Sequence, residues 1–451
     1  MKFLRILLKI LAGLLVLLLV LVAATVTTVD RTPYQQMPYY RAWKQIIGQV
    51  PGADSVPNAG TLRVGWAKRN ITPAEPTPMA GYGNRWGKPY EAVHDSVYVR
   101  ALVLDNGATR VALLAADLLI VPPTVTERLR AKLAAIEIPF EQVYLGATHS
   151  HNSVGGWGDT VTGRLFAGKY NENTVETLAE AMFQAIQEAR NRLAPATLTY
   201  QEAVDSVDIR NRLVGEEGTI DPEIRMLQIT TATGRKALLC SYGAHSTVLS
   251  HRDLQLSRDF PGALVDSLEQ GTQDFALYLA GAVGSMGPVA EGANNFERIQ
   301  NLAENVEQAI LSAETVKVPQ PSTFLRALTI PLPLREPTPR LSPTWALRSW
   351  VFRWAFGDYP TFIKALRVGN VLLVGVPCDF SGELMTELDR YAKQKGLDLI
   401  VTSFNGGYAG YITDDRYFER DLYETVTMSW YGPYNGAYFQ EVIRDVIDRM
   451  Q

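Results

Sequence analysis

Cysteine is nearly absent from this 451-residue chain, with two residues, Cys240 and Cys378. That excludes a disulfide-built scaffold and leaves two buried, separate thiols as the simplest reading. An excess of one charge is also missing. Lys+Arg number 43 against 47 Asp+Glu, a net charge of −4, which argues against a general nucleic-acid binder. Glycine and proline are not enriched (35 and 25 residues), so collagen-like and disordered classes fall away, and 47% hydrophobic residues can bury a large core. No internal repeat is visible. Only five histidines occur, and four of them form two close pairs, His149/His151 and His245/His251.

The sequence has a single long apolar run. Lys2, Arg5 and Lys9 precede Ile10–Val26, and no acidic residue appears before Asp30. As a helix the run measures about 25 Å and reaches a full span when extended at either end. The basic flank predicts a cytoplasmic N-terminus and an exported body, periplasmic or extracellular. A signal peptide cut near Val22-Ala23-Ala24, giving a secreted protein, is the rival reading, but the run exceeds the usual apolar core of such peptides. Residues 1–30 are therefore expected to be a membrane anchor or signal sequence. Residues 31–60, with Pro33, Pro38, Pro51 and Pro57, are expected to be a linker with at most a short helix.

From Thr61 onward, strands alternate with helices. Expected strands are 110–121, 142–148, 225–230, 236–242, 275–282, 368–376 and 397–404. Expected helices are 124–136, 172–193, 295–313, 381–395 and 435–450. This predicts an α/β (mixed) fold, one large catalytic domain over 61–451 behind a transmembrane helix. Within it, 341–360 gathers Trp345, Trp350, Phe352, Trp354, Phe356 and Tyr359 with two arginines. That pattern suits a core helix, a surface at a membrane interface, or a lid over a greasy substrate.

The chemistry gathers at strand ends. Ala147-Thr148-His149-Ser150-His151 follows a strand, and alternation along an extended chain turns both rings to one side. That geometry suits a metal ligand beside an acid–base group. His245 follows another strand among small residues. Imidazole suits zinc, which needs further ligands, and Asp379 or Glu383 is the candidate carboxylate. The glycine- and aromatic-rich stretch from Asn405, with Tyr408, suits a pocket wall.

Several ordered blocks over 61–451 resemble the neutral/alkaline (non-lysosomal) ceramidase family. They are Val64-Gly65…Asn70-Ile71-Thr72-Pro73, Met79-Ala80-Gly81-Tyr82, His94 with Val99-Arg100-Ala101-Leu102, the His149 block with Gly155-Gly156, Arg210-Asn211-Arg212, Ile220-Asp221-Pro222, His245-Ser246-Thr247 and Tyr408 to Pro433. The resemblance implies a zinc hydrolase that splits N-acyl sphingolipids, the membrane lipid substrate, into fatty acid and sphingoid base. It implies His149, His245 and Tyr411 as ligands, with Asp379 where the family carries Glu. It places His151, Arg212 and Tyr423 around the reaction centre. The family's serine turn is altered here: in Gly284-Ser285-Met286-Gly287-Pro288, Gly287 stands at the serine position and Ser285 at the preceding Asn position. The family's C-terminal β-sandwich-like domain has no counterpart in this sequence.

These features predict hydrolysis by zinc-activated water, with His151 as general base, Tyr423 and Arg212 stabilising the oxyanion, and Gly287, Ser285 and Tyr408 near the substrate. Two other functions fit the same residues: hydrolysis of another N-acyl amide or ester, such as an acylated amino lipid or cell-wall fragment, or zinc binding at the membrane without catalysis.

Overall fold

A computed structural model of the chain describes residues 2–53, 60–313 and 324–451. Met1 and residues 54–59, inside the expected anchor and linker, lie outside the described residues. Three units of the same order make up the body, each a strand, a hairpin, a helix, a strand parallel to the hairpin's second strand, and a closing helix. The first runs Arg63–Asn70, Tyr98–Asp105, Arg110–Ala116, helix Pro123–Leu133, Val143–Ala147, helix Glu172–Asn191. The second runs Ala194–Val204, Glu223–Thr231, Lys236–Tyr242, helix Asp259–Gly271, Phe275–Ala280, helix Asn295–Leu311. The third runs Leu325–Pro331, Phe362–Val368, Val371–Gly375, helix Met385–Gln394, Asp398–Thr402, helix Asn435–Met450. In every unit the first three strands pair antiparallel and the last pairs parallel to the third.

Units one and two share an eight-stranded sheet, joined where Arg63 and Val64 pair with Pro195 and Ala194, and unit three forms a four-stranded sheet. Alternation along the strands sorts the side chains into layers. Leu102, Leu113, Leu227, Leu239 and Leu277 point from the large sheet toward Leu366, Leu373 and Ile400 of the small one, making a core between sheets. Val103, Leu114 and Leu145 face the helices of unit one, and Met226, Leu238 and Tyr278 those of unit two. Ile363, Leu372, Val374 and Val401 face the helices of unit three. Strands buried on both faces have continuous apolar runs, as 110–116 and 371–375 show.

The run 368–376 is not one strand. Val368 pairs with Val371 across a tight two-residue turn, with Gly369 at φ 58°, and the chain reverses there. The helix expected over 381–395 is a short 3₁₀ turn, Gly382–Leu384, followed by helix Met385–Gln394. The segment expected as a linker is docked where it is described. Helix Pro38–Gln49 begins with proline at its first position, where no backbone N–H is needed. It buries Trp43 completely, and the indole donates to Asp445 at 2.8 Å. Lys44 bridges Glu441 and Asp445 of the last helix.

Helix Lys2–Thr25 has no buried residue and is long and apolar enough to cross a membrane. It leads directly into strand Val26–Thr28, which pairs antiparallel with Trp345–Leu347.

Candidate metal centre and its pocket

Loops at the C-terminal ends of the parallel strands supply the site, the usual place for a ligand in such sheets. His149 follows Val143–Ala147, His245 follows Lys236–Tyr242, Asp379 follows Val371–Gly375, and Tyr408 and Tyr411 follow Asp398–Thr402. The Nε2 atoms of His149 and His245 are 2.9 Å apart, and that of His151 lies 3.0 and 3.1 Å from them. Asp379 Oδ1 sits 3.5 Å from His149 Nε2.

Each group is held from behind. His149 Nδ1 donates to Leu119 O at 2.6 Å, and His245 Nδ1 faces Val283 O at 3.3 Å. Those bonds place the ring protons on Nδ1 and leave the Nε2 lone pairs facing one another, the second-shell arrangement of histidines that bind metals. His149 has φ 60°, a left-handed conformation costly for a residue with a side chain, and its ring stacks on Phe404 at 3.9 Å. Phe404, two residues past its own strand as His149 is past Ala147, has φ 68°. Tyr408 donates to Asp379 Oδ2 at 2.7 Å, while the buried Oδ1 has no partner.

Burial pulls His149 down to about 3 and holds His245 and His151 well below the usual histidine range, so all three rings are neutral. Burial pushes the Asp379 carboxyl up to about 7, against the pull of the Tyr408 hydrogen bond and of Arg212. Three neutral Nε2 donors and an orphaned carboxylate oxygen fit a divalent cation that prefers nitrogen and oxygen ligands.

His151 differs from the other two. Its Nδ1 has no partner; its ring, like that of His149, lines the cavity. Gly81, at φ 130°, makes its placement possible, because a Cβ there would lie 2.5 Å from His151 O. Tyr82 packs on the ring at 4.8 Å. Tyr411 is buried and accepts a 2.9 Å hydrogen bond from Arg212 Nη2, and Arg212 Nε lies 3.6 Å from Glu424. Tyr423, on a single π-helical turn over Tyr423–Thr427, meets Tyr411 edge to face at 6.0 Å and lines the cavity.

The remaining expected residues are placed as follows. Glu383, the alternative carboxylate, is engaged by Arg416 at 3.0 Å and Tyr417 at 2.9 Å. Ser285 is fully buried, with its hydroxyl 2.6 Å from that of Ser381. Gly287 lies beneath Arg212, where a Cβ would approach Arg212 Cβ to 3.3 Å and Cδ to 3.4 Å. Neither Ser285 nor Gly287 lines the cavity, whereas Tyr408 does. Sequence reasoning missed Phe404, Glu424 and the supporting role of Gly81. For Gly81 a signal existed, since Met79-Ala80-Gly81-Tyr82 is one of the matched blocks.

A cavity of about 530 Å³ opens above the histidines. Leu119, Ile120, Trp157, Phe166, Phe352, Phe356, Met428 and Trp430 make its walls largely apolar; His149, His151, Tyr411 and Tyr423 line it beside the metal centre, and Asp159, Arg335, Glu336, Arg353 and Asp358 add charged groups to the lining. Segment 341–360 is thus divided: Phe352 and Phe356 stack at 4.4 Å and face the cavity, whereas Trp345, Trp350 and Trp354 are exposed.

Comparison with known proteins agrees with this arrangement. The sequence profile for "Neutral/alkaline non-lysosomal ceramidase, N-terminal" matches residues 62–282, which are units one and two up to the turn after Phe275–Ala280. The neutral ceramidase of Pseudomonas aeruginosa is 28% identical over 228 residues, covering 47% of this chain and 33% of the relative, a third of its length. The crystal structure of neutral ceramidase from Pseudomonas aeruginosa shares the fold at a TM-score of 0.73 and 19% identity, over 87% of this chain and 75% of that one. A structure of ceramidase complexed with C2 gives 0.74 at 19% identity, over 86% and 75%. The profile match ends before Asp379 and Tyr411, whereas the shared fold covers 87% of the chain and so reaches into the third unit. By profile and by relative, residues 62–282 are similar to the neutral/alkaline, non-lysosomal ceramidase family, and the body shares the fold of neutral ceramidase.

Proposed function

We propose that this chain is a zinc-dependent amide hydrolase that cleaves N-acyl sphingolipids into fatty acid and sphingoid base. Its body is held by the N-terminal helix on the periplasmic or outer side of a membrane. The observation that carries the reading is the convergence of three neutral imidazole Nε2 atoms and the unpartnered Asp379 Oδ1 beside a largely apolar cavity. His149, His245, Asp379 and Tyr411 would hold the ion. Bound there, zinc would supply a Lewis acid for the acyl carbonyl and lower the pKa of water.

The protein's own groups do the rest. His151 has neither an Nδ1 partner nor a full burial in the wall, so it serves as the proton carrier. Its Nε2 takes the proton as water adds to the carbonyl carbon, and returns it to the sphingoid nitrogen as the C–N bond breaks. Tyr423, protonated at neutral pH, and Arg212 donate to the carbonyl oxygen as charge develops there. The apolar walls take the hydrocarbon chains and keep bulk water from the reacting carbonyl. Ser285 does not serve as nucleophile, since its hydroxyl is buried against Ser381 outside the cavity.

The test is metal analysis of the purified full chain with product analysis on a panel of N-acyl lipids. Stoichiometric zinc with release of sphingoid base and fatty acid supports the reading. Turnover of other acylated amino lipids with ceramides untouched moves the substrate assignment. Zinc without turnover of any amide or ester refutes the catalytic reading.

A further inference from the structure

Helix Ser349–Phe356 is apolar on two opposed faces. Phe352 and Phe356 lie four residues apart and face the cavity, stacked on each other and tilted against Trp430. Trp350 and Trp354, also four apart, are offset from them by two residues, about 200° of helix rotation. They project outward with exposures of 53% and 69%. Trp345 and Leu341 extend the outer patch and are more than half exposed. The helix thus walls the cavity on one side and presents tryptophans that stay more than half exposed on the other.

That face is fastened to the end of the apolar helix. The last carbonyls of any helix lack internal partners. Here Arg348 N donates to Thr25 O at 2.8 Å, Arg348 Nε to Ala23 O at 3.2 Å, and Trp350 Nε1 to Ala24 O at 2.8 Å. The Val26–Thr28 and Trp345–Leu347 pairing continues the joint. The segment therefore caps Lys2–Thr25 with its own donors, and no flexible tether separates the apolar helix from the cavity rim. Where Lys2–Thr25 spans a bilayer, its capped end lies at the headgroup level, the zone in which tryptophan is enriched because its ring is apolar and its N–H polar.

We propose that the outer face of Ser349–Phe356, with Trp345 and Leu341, docks on the surface of the bilayer that the N-terminal helix spans. The docking holds the cavity mouth against the outer leaflet, so that a lipid passes from leaflet to cavity beside Phe352 and Phe356 without crossing water. This rests on the membrane-anchor part of the proposed function and is independent of the reaction catalysed.

The test uses the full chain reconstituted in phosphatidylcholine vesicles, with a single introduced cysteine carrying an environment-sensitive fluorophore. Cys240 and Cys378 are buried, so the label goes to the new thiol. Three positions are read: Trp354→Cys on the docking face, Leu14→Cys in the apolar helix, and Leu311→Cys, an exposed position at the end of helix Asn295–Leu311. The label at 354 should shift to the blue and be quenched about twofold or more by lipids spin-labelled near the headgroup. The label at 14 should be quenched by lipids spin-labelled deep in the chain, and that at 311 by neither. A deep signal at 14 with a water-exposed, unquenched label at 354 refutes the docking while sparing the anchor, and it also covers a protein partner on this face. Absence of lipid quenching at 14 overturns the anchor and the docking with it, and leaves the amidase reading standing.

Discussion

The hydrogen bond from Tyr408 to Asp379 gives the most discriminating measurement on the centre. Asp379 is fully buried, its Oδ2 accepts from the Tyr408 phenol at 2.7 Å, and its Oδ1 faces the histidines without a partner. Tyr408→Phe keeps the ring in the wall and deletes only the donor. A hydrogen bond to a charged group contributes about 1.5–3 kcal/mol, and at so buried an oxygen water is a poor replacement. At about 1.4 kcal/mol per factor of ten, this corresponds to ~10- to 100-fold weaker zinc binding, the scale seen when outer-shell partners of metal ligands are removed. Tyr408 also lines the cavity, so activity alone would mix metal and substrate effects. The proper assay is competition with a chromophoric chelator, with circular dichroism to confirm the fold. Zinc affinity unchanged within about twofold would refute the assignment of Asp379 as a ligand oriented by Tyr408.

His149→Ala and His245→Ala should lose bound zinc and activity together, while His151→Ala keeps the metal and loses about a hundredfold or more in turnover. Metal analysis beside kinetics checks this, and zinc lost from His151→Ala would make that residue a third ligand. Ser285→Ala should retain most activity, with no acyl-enzyme trapped by hydroxylamine. Gly287→Ser should lower activity rather than create a nucleophile, because its Cβ meets Arg212 at 3.3 Å, and steady-state rates on the two variants decide. Trp43→Ala should destabilise the body by about 3–5 kcal/mol, the cost of emptying a large buried site, whereas a loose linker would tolerate it. Denaturant unfolding measures the difference.

The sequence reveals the elements more readily than their arrangement. The last helix, Asn435–Met450, and the hairpin around Thr231–Arg235 read directly, because period and turn residues agree there. The run 368–376 hides a reversal, since both strands are buried on two faces and the apolar pattern passes through the turn unbroken. Gly369-Asn370 was its only mark. The short helix expected within 31–60 is Pro38–Gln49, with Pro38 where helices accept proline, but its docking on the last helix carried no mark in the sequence. In the site, His-x-His and the glycine-rich block after Asn405 were legible as chemistry. The contact of Tyr408 with Asp379 was not, because twenty-nine residues separate them and only the adjacency of two parallel strands brings them together.

The threefold architecture explains why the centre has the composition it does. In each unit the two parallel strands end side by side, and in each the loop after one strand supplies a site group that the loop after the other fixes. His149 follows the fourth strand of unit one, and the carbonyl that orients it, Leu119 O, follows the third. His245 follows the third strand of unit two, and Val283, whose carbonyl faces its Nδ1, follows the fourth. Asp379 follows the third strand of unit three, and Tyr408 follows the fourth. The fourth strands also meet one another: Ser403 N donates to Ala280 O at 2.9 Å, and the Tyr144 hydroxyl lies 2.6 Å from that of Thr402. A rigid crossing of three strand ends sets the site groups before any ion arrives, which is what a preorganised metal centre requires. The shared order survives in the backbone while the side chains at matched positions differ, His149 in one unit and Phe404 in another. A comparison of residues along the chain therefore finds no repeat where the topology has three.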